Sequence, residues 1–326
     1  MNQLSPTQTS SGAALGAVVM LVASIAFAGT NLLQAVLPTP VEYGGYGMAS
    51  TGMAFWQYLI ATIVVLPLIF RIGPYNLRTR HPIAHEIRAF VSALGVHVFV
   101  YGFASGVPGW QMVALLATGP LFIVLGSVVF LRERASPARI TAALLGLAGA
   151  MLASQLGTDG FSPAILIPIA AAALWAVTDL LTKYLSREES PETLTVSLLV
   201  LITPNHLLIL LAATVWAQVL PNLTPAGLAT GFPFALPAGN GLWLLVLLGL
   251  LTAAGQYLLA YAYKVADAAY LQPFGDAKVP LTALFGWVLL NQLPSLWFWP
   301  GAALIIAGSV LIYYAEARRQ RSLAAA

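Results

Sequence analysis

Asp276 and Lys278 stand two residues apart inside a run that is otherwise hydrophobic from 266 to 290, in the stretch AAYLQPFGDAKVP (268–280). A charge at bilayer depth costs roughly 2.5–3.5 kcal/mol on insertion scales, so an ammonium there demands a role. No other Lys or Arg falls outside what reads as a loop, a helix end or a tail. Two roles are open for Lys278. It holds a substrate carboxylate or phosphate, or competes with substrate for an internal carboxylate; or it is permanently paired with Asp276 or Asp179 and only fixes packing. Side chains at i and i+2 project about 200° apart on a regular helix, so Asp276 and Lys278 do not face each other there. Gly275 and Pro280 predict local unwinding, since proline removes a backbone bond.

Asp179 is the second intramembrane charge, with Trp175 and Lys183 four residues either side on the same helical face. Either Lys183 snorkels back to pair with it, or burial makes it a proton-accepting carboxylate that would couple transport to protons. An aromatic face beside a carboxylate suits a cationic or aromatic amine, at about 0.5–2 kcal/mol per cation–π contact. His97 and Tyr101 lie one turn apart on one span, Tyr257 and Tyr261 on another. These four, with Gln272 and Asn31, either line and gate a path or serve as packing donors and interfacial anchors. His206 reads as structural, and His81 and His85 as a solvated face beside Glu86. Zinc-protease, nucleophile-elbow and Walker signatures are absent, which excludes a self-contained ATP-driven pump and argues against an enzyme. With no cysteine there is no thiolate metal site, and neither metal nor cofactor is expected.

The elements that must position these groups are membrane helices. The chain has 326 residues, 59% hydrophobic and 8% charged, against about 25% charged in soluble domains. Its apolar runs are continuous and near 20 residues long rather than alternating, which predicts an all-α polytopic protein and not a barrel. Ten spans can be drawn: 13–37, 48–70, 87–105, 107–131, 138–156, 163–185, 193–219, 241–263, 266–291 and 296–315. Basic residues (Arg71, Arg78, Arg80, Arg88, Arg132, Arg134, Arg139, Lys183, Arg187, Lys264, Arg318, Arg319 and Arg321) all fall in even-numbered loops or the C-terminal tail. Both termini are therefore predicted cytoplasmic, in a cell membrane. The basic residues form no single stripe, so no nucleic-acid partner is expected.

The chain also repeats itself. Phe27, Thr30 and Asn31 in span one align with Trp175, Thr178 and Asp179 in span six. Gly95, His97 and Tyr101 align with Gly255, Tyr257 and Tyr261, and at the same offset Trp110 falls on Tyr270 and Pro120 on Pro280. Two five-helix halves follow, 12–157 and 161–316, with tails 1–11 and 317–326. Because five is odd, the second half is inverted. Inverted repeats with a midplane site at their interface recur in alternating-access carriers.

Two such halves, each with a Pro-centred fourth span, together with the run GSVVFLRERASPARITAALLGLAGAML (126–152), resemble the EamA family of the drug/metabolite transporter superfamily over residues 13–316. Arg132-Glu133-Arg134 keeps the acid and base of the family's usual Gly-Glu-Arg element. The resemblance implies a secondary transporter of small metabolites, and export of amino acids or related zwitterionic and amine compounds first. The alternative is an importer or exchanger of a cationic or nucleoside-like metabolite; a membrane-embedded enzyme or a pore is the other class. A monomer or homodimer in the lipid bilayer is expected.

Overall fold

The structure is a computed structural model that describes residues 10–73, 79–130, 136–155, 163–185, 188–189, 191–224, 235–266 and 268–324. Among the described residues it is all helical: α1 (Ser10–Val36), α2 (Ser50–Ile72), α3 (Pro82–Ala104), α4 (Gly109–Leu116), α5 (Gly119–Val129), α6 (Pro137–Ala153), α7 (Leu166–Leu185), α8 (Pro191–Val219), α9 (Asn240–Val265), α10 (Ala268–Asp276), α11 (Lys278–Leu290) and α12 (Phe298–Ala324). These make ten spans, because α4 and α5 are two halves of one, and α10 and α11 of another.

Both breaks have the same cause. A proline ring clashes with the carbonyl four residues back. Pro120 is four residues after Leu116, where α4 ends, and Pro280 four after Asp276, where α10 ends. The expected unwinding does not occur. Thr118 and Ala277 keep right-handed helical angles. At the first break the ladder tightens into short bonds, Ala117 N to Ala114 O and Thr118 N to Leu115 O, both 3.1 Å. Gly275 lies inside α10, one step short of its end. The breaks are kinks with a tight turn.

The halves interlock. α1 packs on α9 as α7 packs on α3; α2 packs on α9 as α8 packs on α3; α1 packs on α11 as α7 packs on α5. α6 packs on α12, and α2 on α8. Exchanging the first five spans for the last five maps this contact pattern onto itself, as two inverted repeats require. The repeat-matched residues explain the seams. Phe27 lies against Gly255, where an added Cβ would come 3.0 Å from the ring, and Trp175 lies against Gly95, where it would come 2.8 Å from the indole nitrogen. Each half thus seats its aromatic on the other half's glycine.

Lipid offers no hydrophobic drive between helices, so close approach through small residues has to hold the bundle. Ala23, Ala28, Ala61, Ala93, Ala114, Ala150 and Ala171 are fully buried. At the seam of α6 on α12 backbone meets backbone: a Cβ on Gly149 would sit 2.6 Å from Gly301 O and 2.9 Å from Ile305 Cγ1. Gly149→Leu is expected to cost several kcal/mol, more than the roughly 1–3 kcal/mol of ordinary overpacking, since backbone must move. Its monodisperse yield in detergent should collapse, while Gly119→Ala, with open space around the new Cβ, should match the parent.

Candidate substrate site

α1 crosses the kink between α10 and α11 and binds it at two heights. Ser24 Oγ donates to Phe274 O at 2.8 Å and to Gly275 O at 3.2 Å. Two turns further on, Asn31 Nδ2 donates to Thr282 Oγ1 at 3.1 Å, and that hydroxyl donates to Lys278 O at 2.8 Å. Asn31 therefore holds the backbone that carries Lys278. The Asp276 carboxylate accepts from Ser309 Oγ on α12.

The Lys278 ammonium and the Asp179 carboxylate of α7 attract each other across the bundle, at a longer range than a direct ion pair. Asp179 is exposed, Lys278 half-buried. That exposure is not to lipid. The outward stripe of α7 is Leu166, Ala170, Val177 and Tyr184, all exposed and all on one helical face. Asp179 stands about 150° around the helix from it, within an arc of buried residues including Ala172, Ala176 and Leu180. An exposed carboxylate on the inward face lines an internal opening. Trp175 shares that face one turn away, its Nε1 donating to Ser92 O at 3.4 Å and its ring 5.4 Å from Phe99. Lys183 lies in α7, but its side chain is outside the described residues.

Lys278, Asp179 and Trp175 thus converge across α7 and α11, with Asn31 anchoring and Asp276 beside them. The other sequence-predicted residues lie elsewhere. His97 is buried and hydrogen-bonded to His206, so neither imidazole is an isolated structural group. Tyr101 falls on one face of α3 with the exposed Ile83, Ile87 and Phe90. Tyr257 and Tyr261 fall on one face of α9 with the exposed Trp243, Leu247 and Leu250. The reason is periodicity: spacings of three, four and seven keep all of these on the helix side turned from the glycine seams. Gln272 is in α10, but its side chain, like that of Tyr270, lies outside the described residues, as do Arg78 and Arg132 to Arg134 altogether.

Sequence reading missed the hydroxyls of Ser24, Thr282 and Ser309. Thr282 had a signal, since it is one turn from Lys278 on the same face. It also missed a buried amide chain, Gln34 Nε2 to Gln57 Oε1 at 2.9 Å and Gln57 Nε2 to Thr252 Oγ1 at 2.8 Å, which ties α1, α2 and α9.

At the end where α3 begins, two expectations are corrected. α3 starts at Pro82 rather than 87, so Arg88 is inside it and 1% exposed. Its guanidinium donates to Leu194 O at 2.6 Å, to His85 Nδ1 at 3.2 Å and to Thr182 Oγ1 at 3.3 Å. His85 is no solvated face: it is buried and its Nε2 meets Glu189 Oε2 at 2.6 Å. Glu189 also accepts from Thr79. This network ties α3 to α7 and α8. On the surface beside it, the hydrogen bond from His81 and that imidazole's charge hold the exposed Glu188 carboxyl below its ordinary range.

Two interlocked inverted halves with opposed charges at mid-bundle form the architecture of a secondary carrier. The chain belongs to the EamA-like transporter family, whose pattern matches residues 14–155 and again 162–314. It is a multi-pass membrane transporter of small metabolites. It is 42% identical over 321 residues to a riboflavin transporter of Rhizobium johnstonii, covering 98% of each chain. It is 38% identical to a riboflavin transporter of Vibrio cholerae, over 95% of this chain and 97% of that one. An S-adenosylmethionine uptake transporter of Rickettsia felis is 25% identical over 84% of this chain and 86% of that one. A solved crystal structure shares the fold, with a TM-score of 0.61 at 20% identity, covering 95% of this chain and 99% of that one. These relatives are named for riboflavin and S-adenosylmethionine, so amino-acid export loses its support and the importer alternative gains it.

Proposed function

We propose that this protein carries riboflavin into the cell by alternating access, both termini being cytoplasmic. The observation that carries the reading is the 42% identity to a riboflavin transporter over 98% of each chain. The site chemistry is compatible. With the Asp276 carboxylate beside them, Asp179 and Lys278 leave a site with no excess positive charge. Such a site favours a neutral solute rich in hydrogen-bonding groups over a lone anion. The flavin's flat ring suits the Trp175 face. Its ribityl hydroxyls and imide N–H suit Asp179 as donors, and its ring carbonyls suit Lys278 as acceptors. Import is supported by the uptake named for the Rickettsia relative, and the basic residues of the even-numbered loops support the placement of the termini.

The test is growth. A bacterium unable to synthesise riboflavin and lacking its own transporter should grow on micromolar riboflavin when it expresses this chain. Growth no better than with empty vector, with the protein present in the membrane, would refute import of riboflavin. S-adenosylmethionine as competitor separates the second relative's substrate: strong inhibition would place the nucleoside first.

A further inference from the structure

His97 of α3 and His206 of α8 are both buried, and His206 Nδ1 meets His97 Nε2 at 3.0 Å. Tyr58 of α2 stacks on His206 with ring centroids 4.6 Å apart. The outer nitrogens, His97 Nδ1 and His206 Nε2, have no hydrogen-bond partner. α2 and α3 belong to the first half and α8 to the second, so the bond joins the two halves across the α3–α8 seam. Proton counting gives the pair its character. Two neutral imidazoles carry two N–H groups; one fills the bridge, and the other leaves a buried donor and a buried acceptor unpaired. Adding a proton turns the remaining acceptor into a second unpaired donor and places a charge between the helices. Burying an unpaired charge costs several kcal/mol, so the proton is refused while the seam is closed.

We propose that the His97–His206 pair is a proton-binding site, empty of its extra proton in this conformation and filled when α3 and α8 part. By linkage, acid then favours the conformation in which the halves have moved at this seam. The charged groups nearest the pair are two carboxylates, Glu86, whose Oε1 accepts from Nδ2 of Asn205 beside His206 at 2.8 Å, and Asp179 of α7. On α3 itself Tyr101 lies one turn from His97, while His85 and Arg88 lie nine or more residues away, two to three turns. α1 and α4 carry no charged residue, and α2 contributes Tyr58, with Arg71 at its end. α8 adds Glu192 at its start, and α9 adds Tyr257 and Tyr261 on its outer face, with Tyr263 and Lys264 beyond. α7 brings Asp179, one turn beyond the Trp175 that rests on Gly95. The inference rests on the carrier architecture and not on flavin as solute.

Because the chain has no cysteine, spin labels can be placed cleanly. One pair at Ser105 and Leu220 reads one end of the α3–α8 seam, and one pair at Ile83 and Ser197 reads the other. Between about pH 8 and about pH 5.5, spanning the ordinary histidine range, the ratio of distance populations in at least one pair should change by about threefold or more. His206→Gln, and independently His97→Asn should the first fail to fold, should abolish that change. Distributions indifferent to pH in the parent would overturn the proposal, as would an acid response that survives in both folded variants. A response removed by Asp179→Asn instead would assign the proton to that carboxylate and overturn it too. Since no solute is present, failure here is distinct from failure of the flavin reading.

Discussion

Lys278→Met is expected to abolish solute uptake and to lower the yield of folded protein, whereas Lys278→Met combined with Asp179→Asn should recover the yield without recovering uptake. The reasoning is electrostatic. Removing one member of a mutually neutralising pair leaves the other charge without compensation, at about 3–5 kcal/mol when fully buried. Asp179 is accessible on the inward face of α7, so screening brings the cost below the fully buried figure. Removing both charges removes the mismatch, and the folded state recovers. Uptake is not expected to recover, because the proposed site has lost its donor and its acceptor together. Thermal unfolding in detergent and uptake into vesicles measure the two arms separately. Additive losses in the double variant would mean that the two charges act independently, and normal uptake in Lys278→Met would remove Lys278 from the site.

The second large effect belongs to Trp175. Stacking a flat heterocycle on an aromatic side chain is worth about 1–3 kcal/mol by alanine substitution. Trp175→Ala should therefore raise KM about 5- to 140-fold, at 1.4 kcal/mol per factor of ten. Trp175→Phe should recover most of that loss, since it keeps an aromatic face and gives up the bond to Ser92 O and the pyrrole edge over Gly95. The same indole also fills the seam over Gly95, so a structural role must be distinguished from a binding one. A loss confined to the maximal rate, with KM unchanged, would identify Trp175 as packing alone.

The internal symmetry was readable from sequence because it rests on residues that stand out in an apolar chain. Phe27 and Trp175, Gly95 and Gly255, Pro120 and Pro280 pair in the alignment, and the packing shows what they are for. The prolines end α4 and α10 four residues upstream, and the aromatics seat on the glycines of the opposite half. Lys278 and Asp179 were legible for the same reason, being charges where the environment tolerates few.

What stayed hidden was partnership across long separations. His97 looked alone because His206 is 109 residues away, and Arg88 looked like a loop charge because its acceptor Leu194 O is 106 residues away. The facing of Tyr101, Tyr257 and Tyr261 was hidden for another reason. A helix that is apolar all round carries no polar stripe to say which side is turned inward. Only the packed neighbours decide, and they turn these tyrosines outward.

The most direct measurement is counterflow by the purified protein in liposomes. Vesicles loaded with unlabelled riboflavin should accumulate labelled riboflavin transiently above its equilibrium level, with saturation, and should lose that overshoot in Lys278→Met. Overshoot requires a carrier whose site is exposed alternately and rules out both a pore and an enzyme that consumes the solute. Simple equilibration without overshoot, or no entry of riboflavin into vesicles holding folded protein, would contradict the account.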